Sequence, residues 1–431
     1  MKKSNYLFPL LIIAVAFFVI GFGVGINGIM VPILEKAFSL SKGMSYLVLT
    51  ATFSAFLIFG GPSGRVLKKI GYKKSLVSAL FIMSFGMLLF IPSARMGSSI
   101  SGFYMFLVAS FIGGIGNTLL QAAVNPYVTI CGPIEKAAQR MCFMGIMNKS
   151  AWYIGPIFLS LFIDVKNPVL DYASVPFGTA AGIIAALAVI IYFVALPEIK
   201  AEGESEADEP EADLHSEIIT SANRKTSILQ FPHLILGAVA LFIYVGVETL
   251  PMASAIDFAE AIGLNNPEQY AAIEPVGLVI GYIISIFLLQ VMEQKKALIL
   301  FVLIALTASV LLVSLPLEKA IYCLVGLGFA HSLMWGALWA LAIDKLGKFT
   351  KTGASLLVVA IVGGAVFPLL FGFLLDLIKS GETTTSADFQ TAYRIFIPSY
   401  LYLLFYALIG YRIGLKNKHS HGTNNGTTVQ V

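Results

Sequence analysis

Charged side chains are scarce in this sequence. They make up 12% of 431 residues, against 58% apolar residues, and the mean hydropathy is +0.86. A soluble domain carries about a quarter charged residues and under half apolar ones. A chain this greasy could not cover its own surface in water, which excludes a cytosolic enzyme and a disordered protein. Cysteine is scarce as well. Cys131, Cys142 and Cys323 form an odd, scattered set, with neither a disulfide framework nor metal-ligand spacing, so a secreted disulfide scaffold is also excluded. No phosphate-binding Walker loop, zinc spacing or nucleophile elbow occurs, so no enzymatic chemistry and no cofactor is expected. Without a nucleotide motif, any uphill work would have to draw on an ion gradient, a proton or sodium ion being the candidates. The net charge of +4 does not mark a nucleic-acid partner, because the basic residues lie in short loops between apolar runs.

What the chain has in abundance is long apolar runs. They predict spans over about 7–33, 44–64, 75–95, 101–130, 138–164 and 174–196, then 230–257, 268–291, 297–316, 319–343, 352–377 and 391–414. Lipid offers no partner to an open strand edge, and the alternating ten-residue pattern of a membrane barrel is missing. The expected fold is therefore an all-α polytopic membrane protein with twelve transmembrane helices in two pseudo-symmetric six-helix bundles, residues 1–197 and 227–415. Between them, residues 198–226 carry nine acids, from Glu198 to Glu217, and almost no large apolar side chain before Ile218. Such a stretch reads as a solvated linker. Residues 416–431 read as a polar tail. With both termini inside, 20 Lys and Arg fall on the inner side and 7 on the outer side, Lys149 lying within a span. This bias predicts cytoplasmic termini, and a monomer is expected.

An internal offset of 212 residues supports the two halves. Gly114 and Gly116 in span four match Gly326 and Gly328 in span ten, and Pro156 and Asp164 match Pro368 and Asp376. An even number of spans between copies makes this a parallel repeat, the layout in which a substrate sits near mid-bilayer between the halves.

An ionisable group within a span is costly and marks a functional site by default. Lys149, Glu248, Glu274 and His331 qualify. Glu248 can hydrogen-bond sugar hydroxyls, take up a proton or hold a cation, or it can be the fixed partner of Lys149. Lys149 can bind substrate, snorkel or lock two helices. Glu274 lies toward the outer end of span eight, where hydration alone could account for it. His331 can bind substrate, shuttle protons or pack against a carbonyl. A sugar needs amide and carboxylate partners for its hydroxyls and an aromatic platform for its ring. Asn27, Gln121, Asn125 and Asn148 supply amides, and Trp335 shares a helix face with His331 and Trp339. The candidate substrate residues are thus Asn27, Gln121, Asn125, Asn148, Lys149, His331 and Trp335. The candidate coupling residues are Glu248 and Glu274. Gly61 to Lys74 is read as a tight, basic turn between spans two and three, similar to the loop signature of the major facilitator superfamily without its usual acid.

Residues Gly114 to Thr129, including Asn125-Pro126-Tyr127-Val128-Thr129, resemble span four of the fucose/galactose/glucose–cation symporter family within that superfamily. Asn27 to Pro32 with Ala37 to Leu40, Tyr244 to Glu248, Leu346 to Lys348 and Ile361 to Pro368 resemble other segments of the same family. The resemblance implies a bacterial inner-membrane monosaccharide importer working by alternating access. An uncoupled facilitator or an exporter of an amphipathic compound has the same fold, and a non-transporting sensor is a third reading. The departures concern coupling. Gly28 stands where fucose-transporting members have an aspartate, and Gln121 where they have a glutamate, so neither position titrates here. Glu248 matches the glutamate of glucose/galactose members, Lys149 replaces a small polar residue, and Gly336 replaces a proline.

Overall fold

The structure, a computed structural model, describes residues 7–97, 99–131, 136–164, 167–194, 196–197, 225–379, 381 and 383–415. The acidic linker, apart from residues 225 and 226, and the polar tail lie outside the described residues. Among those residues the chain is helical throughout, without a strand.

Among the described residues ten helices are long and apolar enough to cross a membrane. One of them, Leu47–Arg95, has 49 residues. That is about 74 Å at 1.5 Å per residue, more than twice the roughly 30 Å hydrocarbon core. Its backbone leaves the helix at Gly71, with φ 79° and ψ 176°, so it is two crossings, 47–70 and 72–95. Ala137–Ser160 is not among the ten, because Lys149 and its polar neighbours dilute its hydropathy. Its 24 residues nevertheless reach about 36 Å, enough for a crossing. The twelve are α1 (Leu7–Phe38), α2 (47–70), α3 (72–95), α4 (Ile100–Ile130), α5 (Ala137–Ser160), α6 (Ser174–Phe193), α7 (Pro232–Ile262), α8 (Ile273–Val291), α9 (Gln294–Ser314), α10 (Cys323–Ile343), α11 (Thr350–Ala360 and Gly363–Ile378) and α12 (Phe396–Leu408).

The turn between α2 and α3 differs from expectation. Gly61, Pro62 and Gly64 stay helical, and the reversal falls on Gly71 alone. Glycine takes that left-handed φ without the steric cost a side chain would bring.

Polarity is inverted relative to a soluble protein. Leu57, Phe85, Ile183, Phe193, Phe287, Val291 and Leu377 are exposed, whereas Asn27, Gln121, Lys149, Glu248, Asp257, Glu274 and His331 are buried. An apolar exterior suits lipid, and the polar groups face one another.

Within α1–α6, α1 packs on α5 so closely that a Cβ at Gly21 would overlap the Asn148 carbonyl, and one at Gly25 would meet the Trp152 backbone. That contact sets the height of Asn148, Lys149 and Trp152. The counterpart is α7 on α11, where Gly363 abuts the Phe242 carbonyl. The offset that pairs Pro156 with Pro368 therefore holds in the packing. The glycine offset does not hold. Gly114 abuts Thr52 of α2 and Gly116 abuts Ala79 and Met83 of α3, but Gly326 faces Ala308 of α9 and Gly328 abuts Glu274 of α8. By neighbours, Gly114 corresponds to Gly328 and Gly116 to Gly326. Equal spacing within one helix hid the reversed pairing.

The first six helices meet the last six along α2 with α11 and α5 with α8. At the end remote from the N-terminus the two sets are tied by charge. Lys42 Nζ lies 3.0 Å from Asp257 Oδ2 of α7 and 2.8 Å from Glu35 Oε2 of α1. Lys36 pairs with Glu260 at 3.3 Å, and Gly43 N–H donates to Asp376 Oδ2 of α11 at 2.8 Å. Burial works against the charge on Lys42, but the carboxylates of Asp257 and Glu35 outweigh it and hold its pKa above the usual lysine value.

Candidate functional site

Between the two sets, toward the N-terminal end of the molecule, lies a central cavity. Its polar wall is Gln121, Asn148, Lys149, Glu248 and Thr249, and its aromatic wall is Phe17, Phe53, Trp152, Tyr282 and Trp335. Its volume for water centres is about 70 Å³. That is several times the roughly 10–15 Å³ a single water needs.

Lys149 crosses the seam to Glu248, with Nζ 3.1 Å from Oε1 and both side chains nearly buried. The same ammonium sits 3.1 Å from the centre of the Trp152 ring, one helical turn along α5, so a cation–π contact holds it from the second side. Tyr244 donates to Glu248 Oε1 at 2.5 Å and lies 3.1 Å from the His331 carbonyl. Asn148 Nδ2 donates to the Phe17 carbonyl at 3.0 Å, which leaves Oδ1 toward the cavity. Gln121 Nε2 donates to Asn117 Oδ1 at 3.1 Å, which leaves Oε1 free. The open groups are therefore mostly acceptors, with the ammonium of Lys149 as the charged donor.

Of the residues singled out in the sequence, Gln121, Asn148, Lys149, Glu248 and Trp335 meet at this cavity. Four others lie apart from it. Asn27 donates to Thr52 Oγ1 at 2.9 Å and ties α1 to α2. Asn125 is fully buried with neither side-chain polar atom partnered, and nothing in the packing explains it. His331 is fully buried, its Nδ1 3.0 Å from Glu274 Oε1 and its Nε2 2.7 Å from Tyr400 Oη. Glu274 is fully buried too. It is not the hydrated surface acid that its place near a helix end suggests, because α8 starts beneath the turn Pro267–Ala272 and Gly328 lets α10 lie on it.

Sequence reasoning missed Trp152 and Tyr282. Trp152 carried a usable signal, three residues after an intramembrane lysine. Tyr282 did not, since only the contact of its ring with Gly145 across the seam brings it to the cavity. No group of three or more His, Cys, Asp or Glu placed to hold a metal occurs among the described residues.

Comparison with known proteins agrees with this architecture. The profile described as Major Facilitator Superfamily matches residues 13–368. A glucose/galactose transporter of Brucella abortus is 30% identical over 420 residues, covering 95% of both chains. An L-fucose-proton symporter of Escherichia coli is 25% identical over 400 residues, covering 87% of this chain and 88% of that one. Among solved structures, the transporter FucP in its outward conformation superposes with a TM-score of 0.71 at 22% identity, over 96% of this chain and 100% of the other.

Proposed function

The chain belongs to the Major Facilitator Superfamily, and from that premise we propose that its central cavity carries a monosaccharide across the bilayer by alternating access. The observation that carries this reading is the cavity wall, where the open acceptors of Gln121 and Asn148 and the Glu248 carboxylate share the cavity with Trp152 and Trp335. Sugar hydroxyls donate to the first set, and the apolar face of the ring stacks on the second. The cavity is complete within one chain, so a monomer suffices. The lysine and arginine bias puts the termini in the cytoplasm, which makes the Lys42–Asp257 end external and the cavity internal. In this reading the protein imports sugar into a bacterial cell through the inner membrane, coupled to a cation. The Lys149–Glu248 pair, one residue from each half, is the link that rearranges as the halves rock.

The test is counterflow in proteoliposomes. Vesicles preloaded with D-glucose, D-galactose or L-fucose take up labelled tracer of a transported sugar, and the stereoisomers compete unequally. No counterflow with any hexose, deoxyhexose or amino sugar would remove the monosaccharide reading.

A further inference from the structure

Four ionisable side chains are buried inside the helix bundle, and they form two unlike pairs. Lys149 and Glu248 are a closed charge pair, with Glu248 Oε1 also accepting from Tyr244. Both the ammonium and the phenol therefore meet the same carboxylate oxygen of Glu248. Glu274 and His331 have no such cation. Glu274 Oε1 meets only His331 Nδ1, at 3.0 Å, and Oε2 has no partner. The far side of the imidazole is closed by Tyr400 Oη at 2.7 Å, and both side chains are inaccessible.

A bare carboxylate stripped of water and without a cation is a liability of several kcal/mol. The pair therefore holds one proton, as carboxylic acid with imidazole or as carboxylate with imidazolium. Loss of that proton leaves a net anion inside the membrane. The ionisable groups around it are Lys149 from α5, Tyr244 and Glu248 from α7, Tyr282 from α8 and Tyr400 from α12. The one cation among them is already committed to Glu248.

Resting on the monosaccharide-transport reading, we propose that Glu274 and His331 together bind the coupling proton. The site communicates with the cavity through Tyr244. That phenol hydrogen-bonds Glu248, touches the His331 carbonyl, and sets its ring edge-on to the imidazole with centroids 5.9 Å apart. A shift of α10 when the proton leaves moves the group that supports the Lys149–Glu248 link. A crevice lined by Glu268, Gln269 and Ala272 lies near the start of α8, the helix that carries Glu274.

The experiment uses the full chain in proteoliposomes, with wild type, Glu274→Gln and His331→Gln. The amide of Glu274→Gln keeps the shape and cannot titrate. In wild type, one pH unit, acid outside, drives up to about tenfold accumulation at one proton per sugar. Sugar added to de-energised vesicles also makes the medium alkaline. In Glu274→Gln accumulation falls to equilibration and alkalinisation disappears, while counterflow, which moves no net proton, stays within about twofold. His331→Gln gives the same split and serves if Glu274→Gln does not fold. Accumulation by Glu274→Gln at the wild-type level overturns the proposal. So does wild-type counterflow accompanied by accumulation under a sodium gradient alone, with no alkalinisation, and in that case the transport reading stands. Absence of counterflow in wild type removes the transport reading itself.

Discussion

Replacing Lys42 by methionine should open the end of the molecule remote from the N-terminus. Three ties close that end, and they differ in weight. Lys36 and Glu260 have side chains 30% and 50% exposed, so their pair contributes at most about 1 kcal/mol. Asp257 has a side chain only 2% exposed, and Lys42 is 18% exposed. Removing one partner of a fully buried pair costs about 3–5 kcal/mol. Partial hydration of Lys42 lowers that to roughly 2–3 kcal/mol. The cost falls on the closed form alone, because opening gives Asp257 water. The equilibrium therefore shifts toward the open form by about 30- to 150-fold. The assay is labelling of Ala253→Cys, a nearly buried position beside a small void under the closure, with an impermeant maleimide after Cys131, Cys142 and Cys323 are replaced. Lys42→Met should raise the labelling rate by about that factor, and Lys36→Met by less than about fivefold. Adding Asp257→Asn should bring the rate part of the way back, since the buried carboxylate is then neutral and only the partly exposed Glu35 has lost its cation. An unchanged rate in Lys42→Met, or a further rise in the double variant, would refute the reasoning. Because Lys42 keeps a pKa above the usual lysine value, its tie is present at neutral pH and is lost only as pH rises through that value.

The other predictions concern the cavity. Lys149→Met should lower stability by about 3–5 kcal/mol, as Glu248 is left buried and unpaired; the double variant with Glu248→Gln should regain most of it in thermal unfolding followed by size-exclusion chromatography. Trp152→Leu removes both the cation–π contact and a stacking face, so sugar affinity should fall about tenfold while the protein stays monodisperse. Gly145→Val puts a side chain into the Tyr282 ring and should slow counterflow by preventing α5 from approaching α8, with expression unchanged.

How much of this was legible in the sequence depends on what each feature is made of. Twelve crossings follow from apolar runs, because lipid imposes length and polarity on each helix separately. α5 was read as an apolar run although its hydropathy is diluted, and polar residues that dilute it, Asn148 and Lys149, line the cavity. Lys149 and Glu248 were legible as intramembrane charges, and they meet because both line the cavity between the two halves. Glu274 and His331 were visible as charges, but their mutual burial was not. The starting depth of α8 is set by the turn before it and by Gly328, neither of which has a linear pattern. Nothing in the sequence marked Lys42 and Asp257 as a pair, since only the closed arrangement of the two halves brings them together. The reversed glycine equivalence shows the same limit, because spacing along one helix does not say which neighbour each face meets.

The most direct measurement is equilibrium binding of labelled D-glucose, D-galactose and L-fucose to the purified protein, compared with Glu248→Gln and Asn148→Ala. Hydrogen bonds to a charged group contribute about 1.5–3 kcal/mol. The account therefore predicts saturable, stereoselective binding that weakens roughly 10- to 100-fold without the Glu248 charge. Equal affinity in all three proteins would place the sugar somewhere other than this cavity.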